Sequence, residues 1–331
     1  MVRPGRGVNL QRERLSRAYR SRLEFAGAGF AAWCRERGLE LRALVQDKDQ
    51  MNEALIAHVQ DLFKFGKALW HATHAVLAVQ TACRQLRGSL RGAWDSILAW
   101  RFREPVRSRT PLPRLLMEAF CRYGAFAAMS HGAESQLIWW NFCVVLRTGF
   151  FALLRPKELF GLRVKELRLP HQWSLLSEHI AVATILSPKN RAHSGRLQVR
   201  IVRDPACVDW LLWMTRDFSP ETPLWLFSPR RFKLCLDEAA DFLQVRHLRL
   251  TPASLRAGGA TALLEAGVPA SEIKMAGGWS SDRALGCYLQ EAEAAAALLD
   301  VPVKSAVRLK KFLARLNFAR LPPSVPFSTL A

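Results

Sequence analysis

Acidic residues are scarce in this sequence. The 331-residue chain has 28 Asp and Glu against 48 Lys and Arg, which gives a formal net charge of +20. A globular protein of this charge repels itself unless it meets a polyanion. Nucleic acid is the first candidate for that polyanion, and an anionic membrane surface is the second. An arginine-rich proteome would produce the same excess, so charge alone leaves the function open.

Long apolar runs are also missing. The best stretch, 138–154, is interrupted by Asn141 and Arg147, so it does not predict a membrane-spanning helix. The first 22 residues lack the apolar segment of a secretory signal, and Glu13 and Glu24 weaken the case for a transit peptide. We therefore expect an intracellular protein that does not enter a membrane.

Metal-binding patterns are absent as well. The seven cysteines are an odd number with no CxxC pair, which predicts reduced and mostly buried thiols. His71 and His74 are three residues apart on a predicted helix, a spacing more typical of packing or of a surface than of zinc. We expect no metal site.

Hydrophobic periodicity divides the chain into two parts. Half of the residues are hydrophobic, which predicts a globular protein. After a loose basic arm over 1–9, apolar residues recur at three- and four-residue steps and predict an all-helical bundle over 10–103. Prolines 105, 111 and 113 then mark a linker over 104–112. The predicted helices of the bundle are 10–37, 49–65, 69–79 and 81–102.

The second part, 113–300, is predicted to be mainly helical with a small antiparallel sheet near its start. Turn residues bound three β-rich segments at 164–169, 179–186 and 196–202, and the last two flank a hairpin-type loop. A basic tail over 301–331 contains Lys304, Arg308, Lys310, Lys311 and Arg315. The predicted helices of this part are 113–131, 134–148, 156–162, 205–217, 229–245, 252–266, 269–276, 280–297 and 303–316.

Four segments of the second part contain the candidate chemical groups. In chain order they are Thr148–Leu162 with Arg155 three residues before Glu158, Lys189 in the hairpin loop, Thr251–Thr261 with Arg256, and Gly277–Ser281 with Tyr288 nine residues after Trp279. In this order and at these separations, the segments resemble the tyrosine recombinase (phage integrase) family. Each one alone is an ordinary pattern, but only three tyrosines exist in the chain and one falls at the required offset.

The resemblance implies a role for each residue. Tyr288 is the nucleophile, Arg155 and Arg256 are the two catalytic arginines, and Lys189 is the general acid. Trp279 occupies a family position that holds His or Trp, and Glu158 braces its local helix. The resemblance also implies site-specific DNA recombination or integration through a 3′-phosphotyrosine, as part of a mobile element.

These residue types suit that chemistry. Two guanidinium groups offer planar forks of donors and a permanent positive charge to a phosphoryl group that gains negative charge. A lysine can protonate the leaving oxygen, and an indole N–H can donate to a phosphate oxygen. Because the phosphotyrosine conserves the bond energy, we expect no cofactor.

One position departs from the family pattern. Ala253 stands where the family has His or Lys, and alanine has no polar atom to assist Tyr288 or to bind phosphate. Loss of one acid–base group typically costs about 10² to 10⁴ in rate. Two alternatives to an active recombinase therefore stay open: a catalytically degenerate DNA-binding descendant, and a strand-cutting enzyme like type IB topoisomerases.

The helical bundle lies where the family carries a SAM-like core-binding domain. By position and charge it predicts binding of double-stranded DNA, with log affinity falling by about 0.9 per neutralised phosphate as log salt rises. Family members act as tetramers on two DNA sites and pass a C-terminal helix to a neighbour, so we expect a homo-oligomer. We expect the protein with DNA in the nucleus of a eukaryote, or otherwise in the cytoplasm or nucleoid. The candidate phosphate contacts are Arg84, Arg87, Arg91, Arg101, Arg107 and Arg109.

Overall fold

The structure is a computed structural model that describes residues 15–105, 110–130, 132–170, 179–188, 197–315 and 327. The chain forms two compact units, Met1–Arg107 and Ser108–Ala331. The described residues are mainly helical, with one three-stranded antiparallel sheet, which confirms the predicted fold class. No helix among the described residues is long and apolar enough to cross a membrane.

The first unit is a helical bundle. Its longest helix begins after Ser16, whose hydroxyl accepts the Tyr19 N–H at 3.3 Å, and buries Phe30 and Trp33 on one face. Those aromatic side chains belong to a core shared with the other helices of the unit. The helices are α1 (Arg17–Glu36), α2 (Leu41–Gln46), α3 (Lys48–Lys64), α4 (Leu69–Ala82) and α5 (Arg91–Arg103).

The predicted helix 81–102 is wrong in its first half. α4 continues to Ala82, a 3-10 turn occupies Arg84–Leu86, and α5 begins only at Arg91. Gly88 has a φ of 85°, a left-handed conformation that ends helical geometry. Arg84 and Arg87 therefore precede the last helix of the unit, while Arg91 and Arg101 lie on it.

The second unit is built around two long buried helices, α6 and α7, that pack against each other. The sheet lies at one side in the order β1–β2–β3, with Val182 opposite Ile201 in the β2–β3 register. The elements are α6 (Arg114–Ser130), α7 (Ala133–Phe151), α8 (Pro156–Gly161), β1 (Leu167–Arg168), β2 (Ala181–Ile185), β3 (Gln198–Val202), α9 (Pro205–Thr215), α10 (Pro229–Phe242), α11 (Pro252–Glu265), α12 (Ala270–Gly277), α13 (Asp282–Gly286), α14 (Glu291–Leu299) and α15 (Val303–Arg315).

Both ends of the predicted second domain extend into neighbouring segments. Leu112, the last residue of the predicted linker, is buried and its N–H donates to the Ser254 carbonyl at 3.0 Å. In the predicted tail, Leu309 and Phe327 are buried in the same core as α6 and α7. The Ser305 hydroxyl also hydrogen-bonds the Gln244 side chain. The described part of the tail thus packs on its own unit.

Candidate functional site

Arg155 stands at the start of α8. Its backbone N–H donates to Glu158 Oε2 at 3.0 Å, and its Nη1 donates to Glu158 Oε1 at 2.7 Å. The Glu158 side chain is buried, whereas 17% of the Arg155 side chain stays exposed. Glu158 therefore fixes both the helix start and one side of the Arg155 guanidinium, and a small part of the Arg155 side chain stays exposed.

Arg256 lies on α11 and is among the most deeply buried side chains, at 1% exposure. Its Nη2 donates to the Gly277 carbonyl at 2.9 Å, and its Nη1 donates to the Leu153 carbonyl. Leu153 adopts a left-handed conformation with φ of 52°, two residues before Arg155. The second arginine thus connects the turn before α8 to the end of α12.

Burial and the nearby Arg155 charge lower the pKa of Arg256 to about 9, against opposing effects of Glu158 and Tyr288. A guanidinium held among cations in this way is stabilised by any anion that approaches it. The electrostatics of the cluster therefore favour an anionic ligand.

Trp279 and Tyr288 pack on Arg256. The guanidinium carbon lies 3.9 Å from the centroid of the Trp279 ring and 5.3 Å from that of Tyr288. The two rings meet edge to face with centroids 5.1 Å apart. The Trp279 ring folds back on Gly277, where an added Cβ would lie 1.6 Å from Trp279 Cζ3. A side chain at position 277 would displace this ring.

Tyr288 lies in a gap between two helices. The predicted helix 280–297 is wrong here, because α13 ends at Gly286 and α14 begins at Glu291. The Thr261 hydroxyl on α11 donates to the Tyr288 carbonyl at 3.2 Å and accepts the Gln290 N–H at 3.2 Å. This tertiary contact fixes the tyrosine in a helix break, half-buried beside Trp279.

The structure thus brings Arg155, Arg256, Trp279 and Tyr288 into one neighbourhood. Lys189 lies outside the described residues. Ala253 is half-buried on the first turn of α11, one helical turn before Arg256, and contributes no polar group.

A third arginine belongs to this neighbourhood and was missed by sequence reasoning. Arg200 on β3 is 2% exposed, and its pKa is lowered by burial and by Arg155 while Glu158 opposes the effect. In an antiparallel strand, alternate residues share a face, so residues 198, 200 and 202 point inward. An arginine at an inward position of a strand is the signal that could have identified it.

The predicted phosphate contacts of the first unit that the structure describes are exposed side chains and do not form a buried cluster like that of the second unit. Arg84, Arg87, Arg91 and Arg101 are exposed, and Arg87 Nε donates to the Gln80 carbonyl at 3.3 Å. Arg107 and Arg109 lie outside the described residues. Within the described ranges, no group of three His, Cys, Asp or Glu side chains could hold a metal ion.

No family model matches the chain, and no curated protein matches it. The similar solved structures include two complexes of the XerH site-specific recombinase. The complex bound to difH substrate before cleavage is 15% identical, with a TM-score of 0.45 over 75% of this chain and 70% of that chain. The post-cleavage complex with palindromic difH substrate is 15% identical, with a TM-score of 0.48 over 77% and 72%.

Both TM-scores lie below 0.5, so a functional assignment rests on the residues of this chain. Those residues form a cluster in which the Glu158 carboxylate pairs with Arg155 and its charge favours the protonated forms of Arg200 and Arg256. The same cluster contains one half-buried tyrosine and an indole N–H that has no hydrogen-bond partner among the described residues. Such a cluster can hold an anion next to a phenol.

Proposed function

We propose that this protein cuts and rejoins double-stranded DNA through Tyr288, as a site-specific recombinase or integrase. One observation carries the proposal: the Arg256 guanidinium lies over the Trp279 ring and close to the Tyr288 ring, and the sequence singles out the arginine and the two aromatic residues from two separate segments. A phenol, guanidinium groups and a phosphodiester make a complete set of reactants for phosphoryl transfer without any additional nucleophile.

In the proposed reaction the Tyr288 oxygen attacks a DNA phosphorus, and the bond from phosphorus to the 5′ oxygen breaks. The phenolic proton leaves to water or a neighbouring base, and a proton is supplied to the departing 5′ oxygen. The product is a 3′-phosphotyrosine with a free 5′-hydroxyl on the other strand end. Attack by a second 5′-hydroxyl reverses these steps and joins a new strand.

The two arginines have different positions and therefore different proposed tasks. Arg155 is partly exposed and keeps donors that Glu158 does not occupy, so it is suited to bind the nonbridging phosphate oxygens. Arg256 is enclosed and its two terminal nitrogens donate to backbone carbonyls. In this conformation it stabilises the developing phenolate of Tyr288 through its charge.

Lys189 remains the proposed general acid on the strength of the resemblance alone. Trp279 has a buried indole N–H without a hydrogen-bond partner among the described residues, and its ring forms the surface on which Tyr288 packs. An indole can donate a hydrogen bond but cannot transfer a proton, so Trp279 orients and does not act as an acid.

The partner proposed is double-stranded DNA. The support is the net charge of +20, which predicts strong and salt-sensitive phosphate binding. Assembly as a tetramer on two DNA sites and a location with cellular DNA belong to the same proposal, because they follow from the family that the four segments resemble.

Covalent trapping tests the reaction. Nicked duplexes tiled through the DNA that flanks the gene are incubated with the purified protein, then denatured and separated by size. A nick close to the cut releases a short strand that diffuses away and leaves the adduct trapped. We expect a protein–DNA adduct on at least one duplex, and its absence on the whole tiling would contradict the proposal.

A second candidate, a DNA-binding protein without cutting activity, is favoured by two observations. Ala253 provides no acid–base group, and the terminal donors of Arg256 already contact the carbonyls of Leu153 and Gly277. The same tiling separates the two candidates, because a binding protein retards a specific duplex on a native gel without forming any adduct.

A further inference from the structure

Arg200 occupies a position that a strand normally gives to an apolar side chain. It lies on the inward face of β3 between Gln198 and Val202, and all three are buried. Removing a guanidinium from water is costly unless its donors find acceptors. Two acceptors are present: Nη2 donates to Gln198 Oε1 at 2.7 Å, and Nη1 donates to the Val199 carbonyl at 3.1 Å. Both acceptors belong to β3 itself, so the strand alone orients the Arg200 guanidinium.

The oriented guanidinium lies against the turn that carries Trp279. A Cβ added to Gly278 would lie 2.6 Å from Arg200 Nη2 and 2.8 Å from Gln198 Oε1. Gly278 has a φ of 64°, so glycine is favoured here by backbone conformation as well as by space. The side chains of Arg200 and Gln198 therefore pack directly against this turn.

The same turn is also held by Arg256, whose Nη2 donates to the Gly277 carbonyl at 2.9 Å. Two buried guanidinium groups, one from the sheet and one from α11, thus lie against the two glycines that precede Trp279. The charges of Glu158 and Arg155 also act on Arg200, because the first raises its pKa and the second lowers it. Arg200 is therefore electrostatically part of the cluster. Its Nε has no partner among the described residues.

We propose that Arg200 is a positioning residue of the strand-cutting site, which fixes the Gly277–Gly278 turn and thereby the place of Trp279. The inference rests on the proposed function for its effect on cleavage. Because Arg200 is 2% exposed, it acts through the turn and the cluster charge and does not touch the DNA.

The first measurement needs no DNA. In protein labelled with ¹⁵N-tryptophan, the Trp279 indole resonance is identified as the signal missing from Trp279→Phe. We expect Arg200→Gln to shift or broaden that resonance and leave the other indole signals in place. Arg216→Gln is the matched control, because Arg216 is an exposed arginine at the end of α9. An unmoved Trp279 signal in folded Arg200→Gln would overturn the proposal.

The second measurement is the rate of adduct formation on a nicked duplex that the wild-type protein cuts. A small displacement of a catalytic group costs on the order of 100-fold in rate, so we expect about that loss in Arg200→Gln. Affinity for the duplex should not change, because Arg200 does not face solvent. Arg200→Lys keeps the charge but loses the planar fork, and should recover part of the rate. A rate equal to that of Arg216→Gln would contradict the positioning role.

Gly278→Ala provides an independent route to the same displacement. Its Cβ would push against both Arg200 and Gln198, so the variant should shift the Trp279 resonance in the way that Arg200→Gln does. The double variant should lose no more rate than the more damaged single variant, since both act through one contact. Fully additive losses would show that Arg200 works by another route.

The two proposals fail in distinguishable ways. If wild-type protein forms no adduct, the strand-cutting function fails, while the Trp279 resonance still decides whether Arg200 fixes the turn. If wild-type protein cuts DNA and Arg200→Gln cuts equally well, only the role of Arg200 is rejected.

Discussion

The guanidinium carbon of Arg256 lies 3.9 Å from the centroid of the Trp279 ring, with both side chains buried. A desolvated cation–π contact of this kind contributes about 2 kcal/mol. The contact links α11 to the segment after α12, and it orients the ring on which Tyr288 packs. The positions of these three side chains are therefore interdependent. A substitution at any one of them should displace the other two.

Displacing Trp279 without removing it should destabilise the second unit. In Gly277→Ala the added Cβ overlaps the Trp279 ring, and overpacking of this kind typically costs about 1–3 kcal/mol. Urea denaturation followed by tryptophan fluorescence measures the free energy of unfolding. Gly286→Ala is the control, because a Cβ there meets no atom within 4 Å. Equal stability of the two variants would contradict the packing described for Trp279.

Replacing Arg256 should cost stability as well as activity. Arg256→Met keeps most of the volume but leaves the buried carbonyls of Leu153 and Gly277 without donors, which costs about 1–3 kcal/mol for each unsatisfied group. The lysine of Arg256→Lys can donate well to only one of the two carbonyls, so this variant should have an intermediate free energy of unfolding. The test is urea denaturation of the three proteins, and a Met variant as stable as the wild type would refute the bridging role.

Introducing at position 253 the histidine of the tyrosine recombinase pattern, which the sequence resembles, should raise the proposed cutting activity. Ala253 lies one turn before Arg256 on α11 and is only half-buried, so a larger side chain has room to extend. We expect Ala253→His to increase the adduct rate by about 10²-fold or more, the usual contribution of an acid–base group. A folded His variant that is no faster would show that the site does not use this position.

The first unit should lose stability in mild acid. Burial lowers the pKa of His58 to about 4, with Asp61 opposing the effect and Arg37 adding to it. The unfolded chain binds the proton near the ordinary value of about 6.5, so the stabilisation is complete above that pH and is lost as pH falls toward 4. The loss reaches about 3 kcal/mol from a shift of this size.

Thermal unfolding from pH 7 to pH 4 checks the effect of His58. In His58→Leu the dependence on pH should flatten over this window, because the titrating group is gone from its place beside Phe30 and Trp33. His247→Gln, an exposed histidine, is the control and should retain the wild-type dependence. Identical profiles for all three proteins would rule out His58 as the titrating group.

Much of the architecture was predictable from the sequence. Apolar periodicity predicted most helices of both units within a few residues, since each buries one face in a core. A cluster of prolines predicted a linker over 104–112, and the chain forms two compact units that meet in sequence at Arg107 and Ser108. These features depend on local pattern alone.

The features that were not predictable depend on distant contacts. Residues 280–297 have a continuous helical pattern. The Thr261 hydroxyl nevertheless hydrogen-bonds the backbone of both Tyr288 and Gln290, and the helix is interrupted there. Likewise, the charged neighbours of Arg200 lie at the start of α8, and the turn against which it packs follows α12. The resemblance supplied the positions of Arg155, Arg256, Trp279 and Tyr288, but it gave no indication that Arg256 is enclosed by backbone carbonyls.

The most direct test of the account is to identify the residue that becomes joined to DNA. The protein is trapped on a nicked duplex from the flanking DNA and digested, and the peptides are analysed by mass spectrometry. We predict a nucleotide remnant on Tyr288, and Tyr288→Phe should form no adduct while binding the same duplex with unchanged affinity. An adduct on another residue, or an adduct that persists in Tyr288→Phe, would contradict the central claim.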